Sequence, residues 1–336
     1  MSRLVSILIP AYNSERWLGD TIRSALAQTW PETEIIVVDD GSSDGTLAVA
    51  RQFAAKNVTV VTQENQGAST ARNKAFSLCR GDFIQWLDAD DLLAPDKISN
   101  QMAAFERGGT GRTLLSSAWG RFIYRPGKVR YTPTALWADL SPVDWLVLKL
   151  GQNIFMQTSA WLVTRELSIA AGPWNTELSY DDDGEYSARV ILASRAIKFV
   201  PGAKVLYRSS GSGSLSYIGR SIKKQDSLLR SMKLHIEYLR RAEDSERVRA
   251  ACVKYLQTNF TYYYPERADL VRELEAMAVE LGGQLEAPRL LWKYAWLQRP
   301  FGWSFAKRAQ TFLPRVKWSL VSNWDRVLYS LEKRNA

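Results

Sequence analysis

The chain has 336 residues, of which 46% are hydrophobic and 24% charged, and its formal net charge is +9. This composition is typical of a folded globular protein and excludes an intrinsically disordered one. The one histidine, His235, excludes histidine-based metal sites and Ser-His-Asp catalysis. No apolar run reaches the roughly 18–20 residues that span a bilayer, and we expect a cytoplasmic protein.

Short apolar runs alternate with amphipathic helical patterns through the first ninety or so residues. The apolar runs are residues 4–9, 35–38, 58–61 and 83–88. Strands and helices that alternate in this way predict βαβ units and a mainly parallel sheet, hence an α/β fold. Because parallel strands end at the same edge, the residues that follow them are expected to share one crevice.

Three carboxylates follow the fourth strand, at Asp88, Asp90 and Asp91. Carboxylates this close repel one another and raise each other's pKa, and a divalent cation removes the conflict. Oxygen ligands of this kind suit Mg²⁺ or Mn²⁺. The alternative is an acidic turn without a metal, and we predict that Asp91 caps the turn at Leu92.

The following stretch, to residue 218, has mixed patterns. It contains no Gly-x-Gly-x-x-Gly after the first strand and no Gly-Lys-Ser/Thr loop, which disfavours dinucleotide and P-loop triphosphate sites. An acidic cluster at 180–185 lies at the head of a predicted helix. Other predicted elements are a helix at 46–56, a hairpin of 121–124 with 128–131, a helix at 143–150, strands at 159–163, 198–200 and 205–207, and a flexible loop at 208–214.

After residue 218 the periodicity is wholly helical, so we predict two domains, 1–218 and 219–336. Residues 286–336 hold ten Lys or Arg against three acids, a net charge of +7. Tryptophan mixed with basic residues suits an anionic membrane surface, here the inner face of the plasma membrane. A helix packed on the catalytic domain, or an oligomer contact, is the alternative. We expect no nucleic-acid partner, and the sequence does not indicate an oligomeric state.

Five motifs in order resemble those of family-2 glycosyltransferases, which are inverting enzymes with a Rossmann-like GT-A fold. The resemblance covers roughly residues 3–215, and it implies a GT-A domain that binds a nucleotide-sugar. The Gln-x-x-Arg-Trp element and membrane spans of processive synthases are absent, which implies addition of a single sugar. The motifs are Val5-Ser6-Ile7-Leu8-Ile9-Pro10-Ala11-Tyr12-Asn13, Ile36-Val37-Val38-Asp39-Asp40-Gly41-Ser42, Asn65-Gln66-Gly67 with Ala71-Arg72-Asn73, Leu87-Asp88-Ala89-Asp90-Asp91, and Asp182-Asp183-Gly184-Glu185.

The resemblance also implies roles for residues of the donor site. Asp40 would accept the N3–H of a uracil or the amino-edge donors of another base, since a carboxylate is an acceptor and its hydrogen bonds are charge-assisted. Strand alternation points Asp39 the other way, and the alternative is that both acids merely cap the turn. The remaining assignments are Pro10 and Tyr12 to the base and ribose, Asp88 and Ala89 to the ribose and metal, Asp90 to the metal, and Arg72 to the diphosphate or to a neighbouring acid.

Inversion in a single displacement needs a base that takes the acceptor's proton, and the resemblance implies Asp183. Asp182 is the substitute, and Glu185 with Arg189 has the spacing of a helical ion pair. The alternative is that these acids only cap the helix. Many relatives carry a histidine shortly after the arginine that corresponds to Arg208, and this chain has serines and glycines there.

These observations predict a metal-dependent hexosyltransferase that moves one sugar from a nucleotide-sugar, a UDP-sugar, to a glycan or lipid-linked acceptor in cell-surface polysaccharide or glycolipid synthesis. A sugar-1-phosphate nucleotidyltransferase is the enzymatic alternative, but residues 10–13 are not the Gly-rich phosphate loop it needs. A non-catalytic membrane adaptor that binds nucleotide-sugars is the other alternative. The retention of Asp40, Asp88, Asp90 and Asp183 together disfavours it.

Overall fold

The structure is a computed structural model that describes residues 3–209, 218 and 221–334. Strands and helices alternate up to residue 208. They are β1 (Val5–Ala11), α1 (Glu15–Leu26), β2 (Thr33–Asp39), α2 (Thr46–Arg51), β3 (Val58–Thr62), α3 (Ala68–Leu78), β4 (Phe83–Trp86), β5 (Leu92–Leu93), α4 (Lys97–Glu106), β6 (Thr113–Phe122), β7 (Arg130–Tyr131), α5 (Pro142–Gln152), β8 (Val163–Thr164), α6 (Arg165–Ala171), α7 (Asp182–Ala193) and β9 (Ala196–Arg208).

The larger sheet has the strand order β3-β2-β1-β4-β8. Its first four strands are parallel, and β8 runs antiparallel to β4. Strands β1, β2 and β4 are buried almost throughout, which accounts for their nearly continuous apolar sequence. The predicted α/β fold is confirmed, and the larger sheet is mainly parallel, as predicted.

A smaller sheet has the order β5-β9-β6-β7. The predicted hairpin is present but shorter than predicted, since β6 and β7 are antiparallel with Gly120 opposite Tyr131 and Arg121 opposite Arg130, and residues 126–128 form a 3₁₀ turn. The two strands predicted at 198–200 and 205–207 are parts of the single strand β9, which runs parallel to β6. Ser117 pairs with Val200 and the next residue pairs with Lys204, so residues 201–203 form a bulge.

Two other predicted elements are wrong in extent. Ser159 and Ala160 lie in a 3₁₀ turn (Thr158–Ala160), Leu162 forms an isolated β-bridge with Leu115, and only Val163 of that run lies in a strand, β8. The helix predicted at 46–56 ends at Arg51 because the chain turns back, and the Ala55 amide donates to the Val58 carbonyl (3.2 Å).

All regular elements described after residue 221 are helical, as predicted, and α8 buries an apolar stripe of Leu229, Met232, Ile236 and Leu239. None of the described helices has the length and apolar character needed to cross a bilayer. The boundary predicted at 218 stays a prediction, and residues 210–214 of the predicted loop lie outside the described residues. The helices are α8 (Ile222–Ala242), α9 (Glu246–Asn259), α10 (Ala268–Glu280), α11 (Trp292–Ala295), α12 (Gln298–Phe301) and α13 (Trp303–Arg334).

Candidate active site

The turns that follow β1 and β2 are tied together at the carboxyl edge of the larger sheet. The Asn13 amide N–H donates to Ser42 Oγ (3.0 Å), and Asn13 Oδ1 accepts from the Ser43 amide (2.9 Å). Gly41 has a φ of +69°, and a Cβ there would lie 2.7 Å from the Asn65 nitrogen. Glycine is required at this close approach, and both strand exits are therefore held in fixed positions.

Asp40 is buried, and its carboxylate holds the loop that leads into α3. Oδ1 accepts from Gln63 Nε2 (2.8 Å) and the Gln66 amide (3.0 Å), and Oδ2 accepts from the Gly67 amide (2.8 Å). A carboxylate offers about four acceptor positions, so one remains for a ligand. The base-binding role of Asp40 stays a prediction, and the structure adds a second role, which is to order residues 63–67.

Asp39 differs from Asp40 because only one of its two carboxylate oxygens accepts a hydrogen bond within the described residues. Its side chain is 1% exposed, and Oδ2 accepts from Thr62 Oγ1 (3.0 Å) on β3. Oδ1 is buried and has no hydrogen-bond partner among the described residues. Leaving a buried acceptor unpaired costs about 1–3 kcal/mol, so this oxygen needs a donor. In the sequence, strand alternation disfavours Asp39 as a binding residue. Only its position next to Asp40 suggests that it belongs to the site.

Pro10, Tyr12 and Ala89 lie at the same edge of the sheet. Pro10 is partly buried at the end of β1, and Tyr12 is 49% exposed, so its ring face is open to a ligand. Ala89 is buried, and its carbonyl accepts from Thr21 Oγ1 (2.9 Å). Their predicted contacts with a base and ribose stay predictions, but their placement is compatible with them.

The three acids after β4 have different surroundings. Asp88 and Asp90 are partly exposed, whereas Asp91 is fully buried. Asp91 Oδ1 accepts from the Arg208 amide (2.8 Å), and Oδ2 accepts from Gln157 Nε2. Burial and the nearby Asp90 and Asp88 raise the pKa of Asp91 well above its usual value. The prediction that Asp91 caps a turn is wrong, because it instead joins β4 to β9 inside the protein.

Arg208, at the end of β9, supports this acidic segment from behind. Its Nε donates to the Asp90 carbonyl (2.8 Å), and its guanidinium lies 4.0 Å from the Trp17 ring centroid and 4.5 Å from that of Phe122. These cation–π contacts hold a cation next to the acids at a site with 1% exposure. Arg208 therefore fixes the backbone at Asp90.

Arg72, on α3, connects the two acidic motifs. Nη2 donates to Asp88 Oδ1 (3.0 Å), and Nη1 donates to Asp182 Oδ2 (2.8 Å). Its guanidinium also lies 4.3 Å from the ring centroid of Trp174. Burial lowers the pKa of Arg72, but Asp182 and Asp88 outweigh it and the pKa is raised. Of the two partners predicted for Arg72, the structure has the neighbouring acids. It thereby joins two segments that are more than ninety residues apart in the chain.

Asp183 is the second residue of α7 and adjoins this bridge. Burial, followed by the charges of Asp182 and Asp181, raises the pKa of Asp183 to about 7. The hydrogen bond that its Oδ2 accepts from Thr158 Oγ1 is long, at 3.3 Å. Asp182 is engaged with Arg72, which makes it the poorer base. A carboxylate with a pKa near 7 and weak competing hydrogen bonding has the properties of a general base at neutral pH.

Helix α8 holds the segment that carries Asp183. Ser227 Oγ accepts from the Ser179 amide (2.9 Å) and the Tyr180 amide (3.0 Å). One turn further along, Ser231 Oγ donates to Asp181 Oδ2 (2.6 Å). Asp181 has a positive φ of 59° and precedes α7 directly, and its side chain is turned to α8 and makes no capping hydrogen bond to α7.

A further contact continues the row on α8. Tyr238 donates to Glu185 Oε1 (2.9 Å), and Glu185 forms the predicted ion pair with Arg189 (2.7 Å). The single histidine, His235, is buried between these contacts, with Nδ1 3.0 Å from the Tyr255 hydroxyl. The support that α8 gives to the acidic segment is not predicted from the sequence, since no local pattern links them.

The acids fit a divalent cation that is shared with a ligand. Among the described residues no three His, Cys, Asp or Glu side chains are placed to hold a metal by themselves. Mg²⁺ sites, however, commonly use one or two carboxylates together with substrate phosphates and water. Asp88 and Asp90 are partly exposed at the crevice and provide hard oxygen ligands of this kind. Metal binding by Asp90 stays a prediction.

Comparison with known families decides the class of this site. The model of "Glycosyl transferase family 2" matches residues 6–138, which include Asp40, Arg72, Asp88 and Asp90. Residues 6–138 are thus similar in sequence to this family, and we refer to this range as the family 2 domain. The family resemblance of the motifs is therefore confirmed over this range.

Curated relatives match the family 2 domain over part of their length. A Bacillus subtilis protein with the provisional name teichuronic acid biosynthesis glycosyltransferase TuaG is 36% identical over 139 residues, 38% of this chain and 55% of TuaG. Chondroitin synthase of Escherichia coli is 41% identical over 106 residues, 31% of this chain and 16% of that protein. The chain thus spans about half or less of these relatives.

Solved structures extend the likeness beyond the family 2 domain. S. aureus TarS 1–349, in complex with UDP-GlcNAc, aligns over 89% of this chain and 92% of that chain, with a TM-score of 0.57 and 16% identity. Mannosyltransferase PcManGT from Pyrobaculum calidifontis, in complex with GDP-Man and Mn²⁺, aligns over 99% and 87%, with a TM-score of 0.57 and 18% identity. At these identities the likeness shows the fold, which is GT-A with a helical C-terminal region.

Proposed function

We propose that this chain is an inverting glycosyltransferase that moves one sugar from a nucleotide-sugar, a UDP-sugar, to a hydroxyl of a glycan or lipid-linked acceptor in cell-surface polysaccharide or glycolipid synthesis. The curated relatives TuaG and chondroitin synthase bear names of polysaccharide synthesis, and the TarS structure contains UDP-GlcNAc. These names support the substrate class, and the family 2 match favours sugar transfer over nucleotidyl transfer.

The observation that carries the proposal is the bridge made by Arg72. Its guanidinium binds Asp88 of the first acidic motif and Asp182 of the second, and Asp183 is next to it with a pKa of about 7. A donor-binding segment and a candidate base thus line one cleft. An ordinary acidic turn or helix cap would not need the two segments to meet.

Asp183 supplies the proton acceptor in this mechanism. Its carboxylate takes the proton from the acceptor hydroxyl while that oxygen forms a bond to the anomeric carbon. The bond from the anomeric carbon to the diphosphate oxygen breaks, and the nucleoside diphosphate leaves with the electron pair. Attack opposite the departing group inverts the anomeric configuration.

The donor side is held by the remaining predicted residues. Asp40, with Asp39 added from the structure, would accept from the base, and Pro10, Tyr12 and Ala89 would border the base and ribose. Asp90 with Asp88 would hold Mn²⁺ or Mg²⁺, which neutralises charge on a bound diphosphate. Arg72 orients Asp88 and Asp182 in the observed arrangement, and Arg208 fixes the backbone of Asp90.

A panel of nucleotide-sugars tests the proposal. Each donor is added with Mn²⁺, and a rise in the melting temperature identifies those that bind. A donor that stabilises is then incubated with glycan and lipid-linked acceptors, and the anomeric configuration of the product is determined by NMR. The proposal requires one UDP-sugar to stabilise and a product with inverted configuration. Stabilisation by none of the donors, or a retained configuration, contradicts it.

A further inference from the structure

Helix α13 is attached to the rest of the protein by one face. Near its beginning, Lys307 Nζ binds Glu266 Oε2 (2.8 Å) and the Trp303 ring contacts that of Tyr264 at 5.2 Å between centroids. Near its end, Asp325 pairs with Arg125 (2.7 Å). On a helix of 3.6 residues per turn, positions 303, 307 and 325 lie on the same side.

The opposite side of α13 is an exposed apolar stripe, which we define as Phe305, Phe312, Leu313, Val316, Leu320, Trp324, Val327 and Leu331. From Leu313 to Leu331 these positions recur every three or four residues, and Phe312 and Phe305 continue the same side toward the beginning of the helix, as on an amphipathic helix. All are exposed, with Leu320 at 68% and Trp324 at 66%. A contiguous apolar surface of this length is rare on a free monomer and indicates a partner.

The charges beside the stripe indicate what that partner is. Arg308 and Arg326 border the stripe on one side and Lys317 on the other, within a region of net charge +7. Exposed aromatic side chains nearby, at Trp292 (86%) and Trp296 (65%), extend the apolar surface toward α11. Apolar side chains flanked by cations, with tryptophan at the border, match the acyl–headgroup boundary of an anionic bilayer.

A second copy of the chain fits this surface less well. Two stripes packed face to face would bring the same cationic borders together, and like charges at an interface repel. The stripe contains no acid that could neutralise these cations. The acids of α13, Asp325 and Glu332, both pair with Arg125 on the attached face.

We propose that α13 lies in the plane of an anionic membrane, with the apolar stripe buried at the headgroup boundary. The attached face also contacts the candidate site. Asp325 Oδ2 accepts from the Tyr124 amide (2.9 Å), Tyr124 packs on Trp17 (5.5 Å between centroids), and Trp17 lies under Arg208. Helix α13 thus attaches the protein to the membrane on the side of the protein that adjoins the crevice.

Sedimentation with lipid vesicles tests this proposal on the full chain. Vesicles of phosphatidylcholine alone are compared with vesicles containing phosphatidylglycerol. The wild type is expected to sediment with the anionic vesicles, and more weakly as the salt concentration rises. Leu320→Glu removes one leucine from the lipid contact and is expected to reduce binding by about tenfold or more.

Val321→Glu is the matched control. Val321 is the next residue, is 50% exposed and lies outside the stripe, so the substitution adds the same charge without losing the contact. It is expected to bind within about twofold of wild type, and circular dichroism checks that both variants keep their helix content. Equal binding by the two variants, or no binding of the wild type to anionic vesicles, overturns the proposal.

Sedimentation velocity tests the other possible occupant of the stripe, which is a second copy of the chain. A wild-type dimer that Leu320→Glu converts to a monomer, without vesicle binding, would mean that a second copy covers the stripe, and this also overturns the proposal. Vesicle binding needs no sugar transfer. The result is therefore independent of whether the proposed enzymatic function is correct.

Discussion

The two acidic segments of the candidate site are held in different ways. Asp88 to Asp91 follow a buried strand, and Asp91 is fixed by contacts with β9 and Gln157 inside the protein. In the second segment, Asp181 and Glu185 are held from outside the sheets, by side chains of α8 some fifty residues later in the chain. The first segment is thus part of the sheet framework, whereas the second depends on the C-terminal helices.

The two segments also differ in the chemistry of their acids, as Asp91 and Asp183 show. The pKa values of Asp91 and Asp183 are both raised, in each case mainly by burial. Both oxygens of Asp91 have close donors, whereas the contact from Thr158 to Asp183 is long. Asp91 is therefore a structural acid, and Asp183 is able to exchange a proton with a ligand. Substitutions in the two segments are expected to differ accordingly.

The largest effect is expected for Asp183→Asn. Removal of a general base should lower the transfer rate by about 10²–10⁴-fold while UDP affinity stays unchanged. Because the pKa of Asp183 is about 7, its ionised fraction increases with pH, and wild-type kcat/KM should rise through pH 7 to a plateau. Calorimetry and a pH–rate profile measure both. Full activity in the variant would remove Asp183 as the base.

The same variant should change the dependence of stability on pH. Folding raises the pKa of Asp183 from 3.8 to about 7, so the wild type loses stability as pH rises through this interval. The asparagine side chain of the variant has no such ionisation, and its melting temperature should therefore gain on that of the wild type between about pH 4 and pH 7. A constant difference between the two proteins would contradict the raised pKa.

Asp90→Ala tests the metal-binding half of the comparison. We expect UDP affinity in Mn²⁺ to fall by about tenfold or more, because a carboxylate ligand is lost. In chelator the wild type and the variant should bind UDP alike. Asp96→Ala, at an exposed acid after β5, is the control and should retain the metal effect. An undiminished metal effect in the Asp90 variant refutes the assignment.

Asp39→Asn and Asp40→Asn separate the two acids after β2. Asp39 Oδ1 has no partner within the described part of the chain, so Asp39→Asn should weaken UDP binding by about tenfold with little loss of stability. Asp40 binds the Gln66 and Gly67 amides, and Asp40→Asn should therefore lower the melting temperature as well. Thermal unfolding and calorimetry on both variants decide which acid contacts the base. Unchanged UDP affinity in the Asp39 variant would leave Asp40 alone in that role.

The smallest effect is expected for Ser231→Ala, which removes the hydrogen bond to Asp181. The loss should be about 1 kcal/mol in unfolding free energy, with a several-fold lower kcat and a shifted midpoint of the pH–rate profile. Ser77→Ala, which removes an exposed contact to the Lys74 carbonyl, is the control and should leave the profile unchanged. An unshifted midpoint in the Ser231 variant would show that α8 does not position Asp183.

The buried strands and the acids that follow them are well predicted because their sequence signals are local. Strands buried on both faces give continuous apolar runs, and the acids that follow them must share an edge. Pro201, Gly202 and Lys204 interrupt the apolar pattern of β9, so the sequence predicts two strands where the protein has one bulged strand. Asp91 resembles a turn residue because its partners, Arg208 and Gln157, are distant in sequence. The contacts made by the α8 serines have no sequence signature at all.

The row of contacts from α8 limits how this chain can be divided in hybrids with its relatives. Ser227, Ser231 and Tyr238 lie beyond the family 2 match at 6–138 and beyond the predicted boundary at 218. A hybrid joined near residue 218 would pair the acidic segment with a foreign helix and lose its alignment. Exchange of acceptor specificity between relatives should therefore carry residues 179–238 as one block.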